Sequence, residues 1–265
     1  MDKRYIGALI LSPLIIFLFL GGVYLKYLMF AVSLIGMFEF YNAANKKGIN
    51  SFNLIGYLLC IVYYITLQKE INYFLIFHLM VFLIIIMLSI PIINLKYNFI
   101  DASITIIGFL YIPICFSFIV LTNFKDYGNY LIWLIFISSW LCDTAAYYTG
   151  KFFGKNKLCP KVSPKKTIEG SIGGFIGSII GCGLFGVFCI HNGVNIPIYN
   201  YYIIGAICGI VCQFGDLVAS SIKRYVGIKD YSNLIPGHGG ILDRFDSILF
   251  SAVAVYYYIS FIIKI

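Results

Sequence analysis

The sequence predicts an all-α, polytopic integral membrane protein, and three observations predict it. Of the 265 residues, 61% are hydrophobic and 11% are charged, against roughly 45–50% and about 25% in soluble domains. Mean hydropathy is +0.92, more apolar surface than a soluble core of this length can hide. The apolar residues also come in long unbroken runs, not in the ~10-residue alternating segments of a transmembrane barrel. Lipid must therefore be the main solvent of the chain. Disordered, collagen-like, coiled-coil and secreted disulfide-scaffold classes are excluded by the same composition.

A helix crosses the hydrocarbon core in about 20 residues. Nine stretches meet or approach that length: 5–20, 23–42, 52–68, 72–94, 102–122, 129–149, 170–190, 199–219 and 247–263. Gly21 and Gly22 break the first long run, which predicts a tight hairpin there. With nine spans, 15 of the 19 Lys and Arg fall on the side of the N-terminus. Cytoplasmic loops carry such an excess, so the N-terminus and both long basic loops, 150–169 and 220–246, are expected to be cytoplasmic. The net charge of +8 is explained by this bias and by an anionic substrate, without nucleic acid. No cleavable signal or transit peptide is expected, and a bacterial-type inner cell membrane is the expected location.

No internal repeat or linker divides the chain, so 1–265 is read as one integral domain. Residues 1–128 form its hydrophobic N-terminal helices, with spans nearly bare of polar groups, and 129–265 its catalytic half. The eight cysteines lie scattered in apolar segments without a Cys-x-x-Cys pair and read as small core residues.

The polar residues that cost most in a membrane cluster late in the chain. Asp216 sits in the last turns of the eighth span, where a carboxylate is expensive unless it faces the bundle interior or a ligand. Ser220 and Lys223/Arg224 follow at i+4 and i+7/i+8, placing all of them on one helix face. The next loop, with Pro236, Gly237, His238, Gly239 and Gly240, allows positive φ or close approach to a ligand. Asp243 and Asp246 stand at i, i+3 where the ninth span begins. Carboxylates drawn from two helices suit a hard cation such as Mg²⁺, with water and phosphate oxygens completing its shell.

The block Ser163-Pro164-Lys165-Lys166-Thr167-Ile168-Glu169-Gly170 opens into the seventh span. Thr167 is the expected N-cap, leaving helix N–H groups beside Lys165 and Lys166 to meet a phosphate. Asp143 is a further costly acid at the end of the sixth span. Gly181-Cys182-Gly183-Leu184-Phe185-Gly186 matches a dinucleotide-binding pattern but lies inside a span with no βαβ unit. The four-residue repeats Gly173/Gly177/Gly181 and Gly205/Gly209 read as helix-packing faces.

The stretch Ser220-x-Ile222-Lys223-Arg224, Lys229-Asp230-x-Ser232, Ile235-Pro236-x-His238-Gly239-Gly240-Ile241-x-Asp243-Arg244-Phe245-Asp246 resembles the signature of the phosphatidate cytidylyltransferases, or CDP-diacylglycerol synthases. The Gly215-Asp216-Leu217 turn, the 163–170 block and Asp143-Thr144-Ala145 look like the same family, so the resemblance covers most of 140–250. It implies transfer of CMP from CTP to phosphatidic acid, with release of pyrophosphate. It also implies Mg²⁺ with K⁺ as second cation, and a homodimer. Metal ligation would fall on Asp216 and Asp243. Lys223, Arg224 and Asp246 would be catalytic. Asp143, Ser163, Lys165, Lys166, Thr167, Glu169, Ser220, His238 and Arg244 would bind substrate.

The chemistry is consistent with these residue types. Both reactants are anionic, so cations must neutralise and align them, and no covalent nucleophile is needed. Two other readings stay open on sequence alone: a CTP-dependent lipid enzyme acting on another lipid phosphate or a prenol, and an ion-coupled transporter using Asp216.

Overall fold

The computed structural model of the chain describes residues 15–68, 73–237 and 239–265. Apolar runs fold as helices because every backbone N–H and C=O is then satisfied within the segment. The order is α1 (Gly22–Lys46), α2 (Asn53–Thr66), α3 (Tyr73–Ile93), α4 (Phe99–Phe109), α5 (Cys115–Asn123), α6 (Gly128–Phe153), a hairpin of β1 (Lys157–Cys159) and β2 (Ser163–Thr167), α7 (Ile168–His191), α8 (Ile198–Tyr225) and α9 (Leu242–Tyr257). A π-turn over Leu110–Ile114 joins α4 to α5 as one long rod. Pro113 sits inside it and supplies no N–H, which shifts the ladder by one residue.

Among the described residues, seven helices are long and apolar enough to cross a membrane, so the expected count of nine is corrected. The stretch expected at 52–68 yields α2, 14 residues long. At 1.5 Å per residue it spans about 21 Å, short of the ~30 Å hydrocarbon core. Most of the expected first span, 5–20, lies outside the described residues. The fold class stands: the chain is all-α and polytopic, with one two-stranded hairpin in the 150–169 segment.

The chain forms two compact units, Met1–Leu121 with Val226–Leu242, and Thr122–Tyr225 with Asp243–Ile265. In the first, Tyr41 is the keystone. Its hydroxyl donates to Thr105 O at 2.9 Å, and Gly56 and Gly108 leave room for its ring, since a methyl on either would collide with it. Tyr63 and Ser117 share a hydrogen bond of 2.6 Å.

In the second unit α7 packs closely along α6 and α8, and the glycine repeats explain how. A Cβ on Gly177 would lie 2.5 Å from Ala145 Cβ, and one on Gly205 would lie 2.8 Å from both Ile179 Cα and Ser178 O. Gly173 and Gly181 face Thr149 and Leu141 with no space for a side chain. These are packing faces, as the spacing predicts, and the dinucleotide-like run lies within α7. Hydrogen bonds between hydroxyls and neighbouring helices add to the packing: Ser178 Oγ donates to Gly205 O at 2.8 Å, and Ser139 Oγ to Ser251 Oγ at 2.9 Å. All eight cysteines are free thiols, six of them buried, in keeping with their reading as core residues.

Candidate active site

Parts of three helices and the hairpin converge at one end of the second unit. The C-terminal parts of α6 and α8 bring Asp143 and Asp216. The N-terminus of α9 brings Asp243, Arg244 and Asp246, and β2 brings Lys165 and Lys166. Both α6 and α8 run further than hydropathy alone predicts, to Phe153 and Tyr225. Asp143 and Asp216 thus lie about three turns inside the helix ends rather than at them.

The acids and cations are interleaved. Lys166 forms an ion pair with Asp216, both half-buried. Lys223 Nζ donates to Asp243 Oδ1 at 2.7 Å, with side chains 10% and 2% exposed. Asp143 lies within electrostatic range of Asp216, Lys166 and Arg244. Asp246 lies within range of Asp216, Lys223 and Asp143, and its Oδ1 accepts from Ser247 N at 2.8 Å. Gly215 makes this convergence possible, because a Cβ there would come within 2.5 Å of Asp246 O and 3.0 Å of the Phe250 ring. The residue beside Asp216 is therefore a point of close approach between α8 and α9.

The single helix face expected for Asp216, Ser220, Lys223 and Arg224 divides. Successive residues on a helix point about 100° apart. Lys223 is buried against Asp243, whereas Arg224 is exposed and its Nε donates to Val162 O at 3.4 Å, next to the hairpin turn. Ser220, half-buried, is one turn beyond Asp216.

The 163–170 block also divides. Thr167 is the N-cap of α7, its Oγ1 accepting from Gly170 N at 3.1 Å. Its side chain fills the space left by Gly150 and Gly154. Glu169 folds back on the segment before β1, accepting from Asn156 N at 3.2 Å and Asn156 Nδ2 at 2.9 Å. Ser163 pairs with Cys159 at the tip of the hairpin. Adjacent strand residues point to opposite faces, so Lys166 turns toward Asp216 and Lys165 stays exposed. A cavity of about 320 Å³ opens beside them, lined by Asp143, Tyr147, Lys151, Lys165, Lys166 and Gln213 among others. That volume is in the range of small-molecule sites. Lys151, Tyr147 and Gln213 were not anticipated from sequence.

In the 226–241 loop, Gly237 and Gly239 take positive φ, 76° and 83°, as the composition predicts, while His238 lies outside the described residues. The main surprise is Glu39 in α1. It is 2% exposed. Its carboxylate accepts from Ser232 Oγ at 2.6 Å and from the backbone N–H groups of Ile241 and Leu242, each at 2.9 Å. A methyl on Gly240 would reach within 2.5 Å of Glu39 Oε1. Glu39 thus caps the first N–H groups of a helix some 200 residues later. Its sequence signal is a lone acid inside an apolar span, which is costly unless partnered.

The donor set suits a hard cation: carboxylates from three helices, with ammonium groups already in cation positions against Asp216 and Asp243. Among the described residues no three His, Cys, Asp or Glu side chains are gathered closely enough to hold a metal ion by themselves. A cation held here would complete its shell with water and phosphate oxygens, as Mg²⁺ prefers.

Comparison with known proteins places this geometry in context. The cytidylyltransferase family profile matches residues 2–262. A phosphatidate cytidylyltransferase of Bacillus subtilis (strain 168) is 32% identical over 251 residues, covering 92% of each chain. Proteins of the same name from Staphylococcus saprophyticus and Staphylococcus aureus (strain N315) are 36% and 34% identical over 157 residues, 58% of each chain.

Proposed function

The chain belongs to the cytidylyltransferase family, and from that premise we propose that it transfers CMP from CTP to phosphatidic acid in the membrane. The products are CDP-diacylglycerol and pyrophosphate. The observation that carries this reading is the interleaving of Asp143, Asp216, Asp243 and Asp246 with Lys166, Lys223 and Arg244, beside a lysine-lined cavity.

A phosphate oxygen of phosphatidic acid attacks the α-phosphorus of CTP, and the bond to the β-phosphate breaks. Both partners are anions, so the barrier is largely electrostatic and positional. Lys165, Lys166 and Lys151 hold the triphosphate in the cavity. Lys223 is kept in place by Asp243 and supports the departing pyrophosphate, and Arg244 faces the same cluster. Asp216 and Asp243 would hold Mg²⁺, with Asp143 and Asp246 adding negative charge around the site. When bound, the ion neutralises phosphate oxygens and orients the reacting groups. K⁺ as second cation and a homodimer rest on the resemblance alone.

We place this end of the second unit in the cytoplasm of a bacterial-type cell. It carries Lys151, Lys155, Lys157, Lys161, Lys165, Lys166, Lys223, Arg224 and Arg244, while the opposite end carries Lys125 and Lys264. That is the positive-inside asymmetry. It does not depend on the total number of spans. CTP would arrive from water while the acyl chains stay in lipid.

The test is a product analysis with purified protein, CTP and a panel of lipids. Stoichiometric pyrophosphate and CDP-diacylglycerol with phosphatidic acid are expected. CDP release with a prenol or diacylglycerol would replace this reading with a kinase.

A further inference from the structure

Within that reading, on which this inference rests, we propose that Gln213 selects the cytosine base by accepting a hydrogen bond from its 4-amino group. Gln213 lines the 320 Å³ cavity together with Lys165 and Lys166. Its amide has one donor nitrogen and one acceptor oxygen. The nitrogen is fully committed: Nε2 donates to Gly209 O at 2.7 Å, one turn back on α8, and to Ser171 O at 3.1 Å, in the first turn of α7. Two carbonyl acceptors on the same side fix which end of the amide is nitrogen. Oε1 is therefore the atom left to face the cavity.

That orientation discriminates chemically. Cytosine carries an amino donor at position 4, whereas uracil carries a carbonyl acceptor there. Against Oε1 the first forms a hydrogen bond and the second sets two acceptors face to face. The side chain cannot adapt by flipping, because Nε2 would leave both backbone carbonyls and Oε1 would meet them. A pinned amide thus reads the base, much as fixed polar groups elsewhere reject analogues that cannot pair with them. The triphosphate, held by Lys165, Lys166 and Lys151, keeps the base within the same cavity. Gln213 also links α7 to α8, so its position is set by the glycine-lined contact between those helices.

The experiment compares CTP, UTP and the triphosphate of the pyrimidin-2-one ribonucleoside, which lacks the 4-amino group. Each is measured for binding to the purified protein and for turnover with phosphatidic acid. The unaltered protein should prefer CTP over the desamino analogue by on the order of 10-fold, and over UTP by on the order of 100-fold. Gln213→Leu and Gln213→Met should bring CTP and the analogue to within about 3-fold of each other, mainly by weakening CTP. Equal binding of all three nucleotides by the unaltered protein would overturn the proposal, and so would discrimination kept intact in a folded variant. If no CDP-diacylglycerol forms with any nucleotide, the proposed reaction fails, and the binding series still decides the role of Gln213.

Discussion

Replacing Lys223 by Met removes the cation from a carboxylate that is 2% exposed. The pair is 2.7 Å apart and lies where α8 meets α9. Deleting one partner of a buried ion pair costs about 3–5 kcal/mol, because the other charge keeps its desolvation penalty without its compensation. Lys223→Met should therefore lower stability by about that amount in a denaturation series in mixed micelles. Asp243→Asn alone leaves a buried ammonium and should cost a similar amount. The double variant removes both charges and should recover at least about 2 kcal/mol relative to the sum of the single changes. It should not recover cytidylyl transfer, since both side chains belong to the proposed site. Single changes of under about 1 kcal/mol, or effects that simply add in the double variant, would refute the view that this pair is a coupled, desolvated element.

Three other outcomes follow from the geometry. The Glu39 carboxylate accepts from Ser232 Oγ and from the Ile241 and Leu242 amides. Glu39→Gln keeps the shape but turns an amide donor toward one of those donors, and should cost about 1–3 kcal/mol. Hydrogen exchange at the Ile241 and Leu242 amides should accelerate, and unchanged protection would contradict the capping role. Gly205→Ala places a methyl 2.8 Å from backbone atoms of α7, which cannot yield as a side-chain tip can. It should destabilise by about 1–3 kcal/mol, whereas Gly193→Ala, with open space around it but φ +85°, reports backbone strain alone. Thr167→Ala loses the α7 cap and about 1 kcal/mol, and Thr167→Ser should restore most of it if the hydroxyl is what matters.

Much of this organisation is legible in the sequence, for physical reasons that differ by element. Long apolar runs reveal spans because lipid imposes one solution on the backbone. The glycine repeats reveal packing faces because only a missing side chain permits such approach. Thr167 and the acids opening α9 are legible because helix ends leave the same orphan groups everywhere. What stays hidden is partnership. Nothing local tells that Lys223 faces Asp243 while Arg224 turns to the hairpin, or that Glu39 meets a loop 193 residues downstream. Hydropathy also overextends α2, since an apolar segment reads alike whether or not it has the length to cross. The hairpin is masked because its lysines break the alternation that marks a strand.

The central claim is that the carboxylates joining α6, α8 and α9 run nucleotidyl transfer. Its most direct test is the initial rate of CDP-diacylglycerol formation from CTP and phosphatidic acid with saturating Mg²⁺, comparing unaltered protein with Asp216→Asn of matched stability. The account predicts a loss of at least about 100-fold in the variant. A folded Asp216→Asn protein working at the unaltered rate would contradict it.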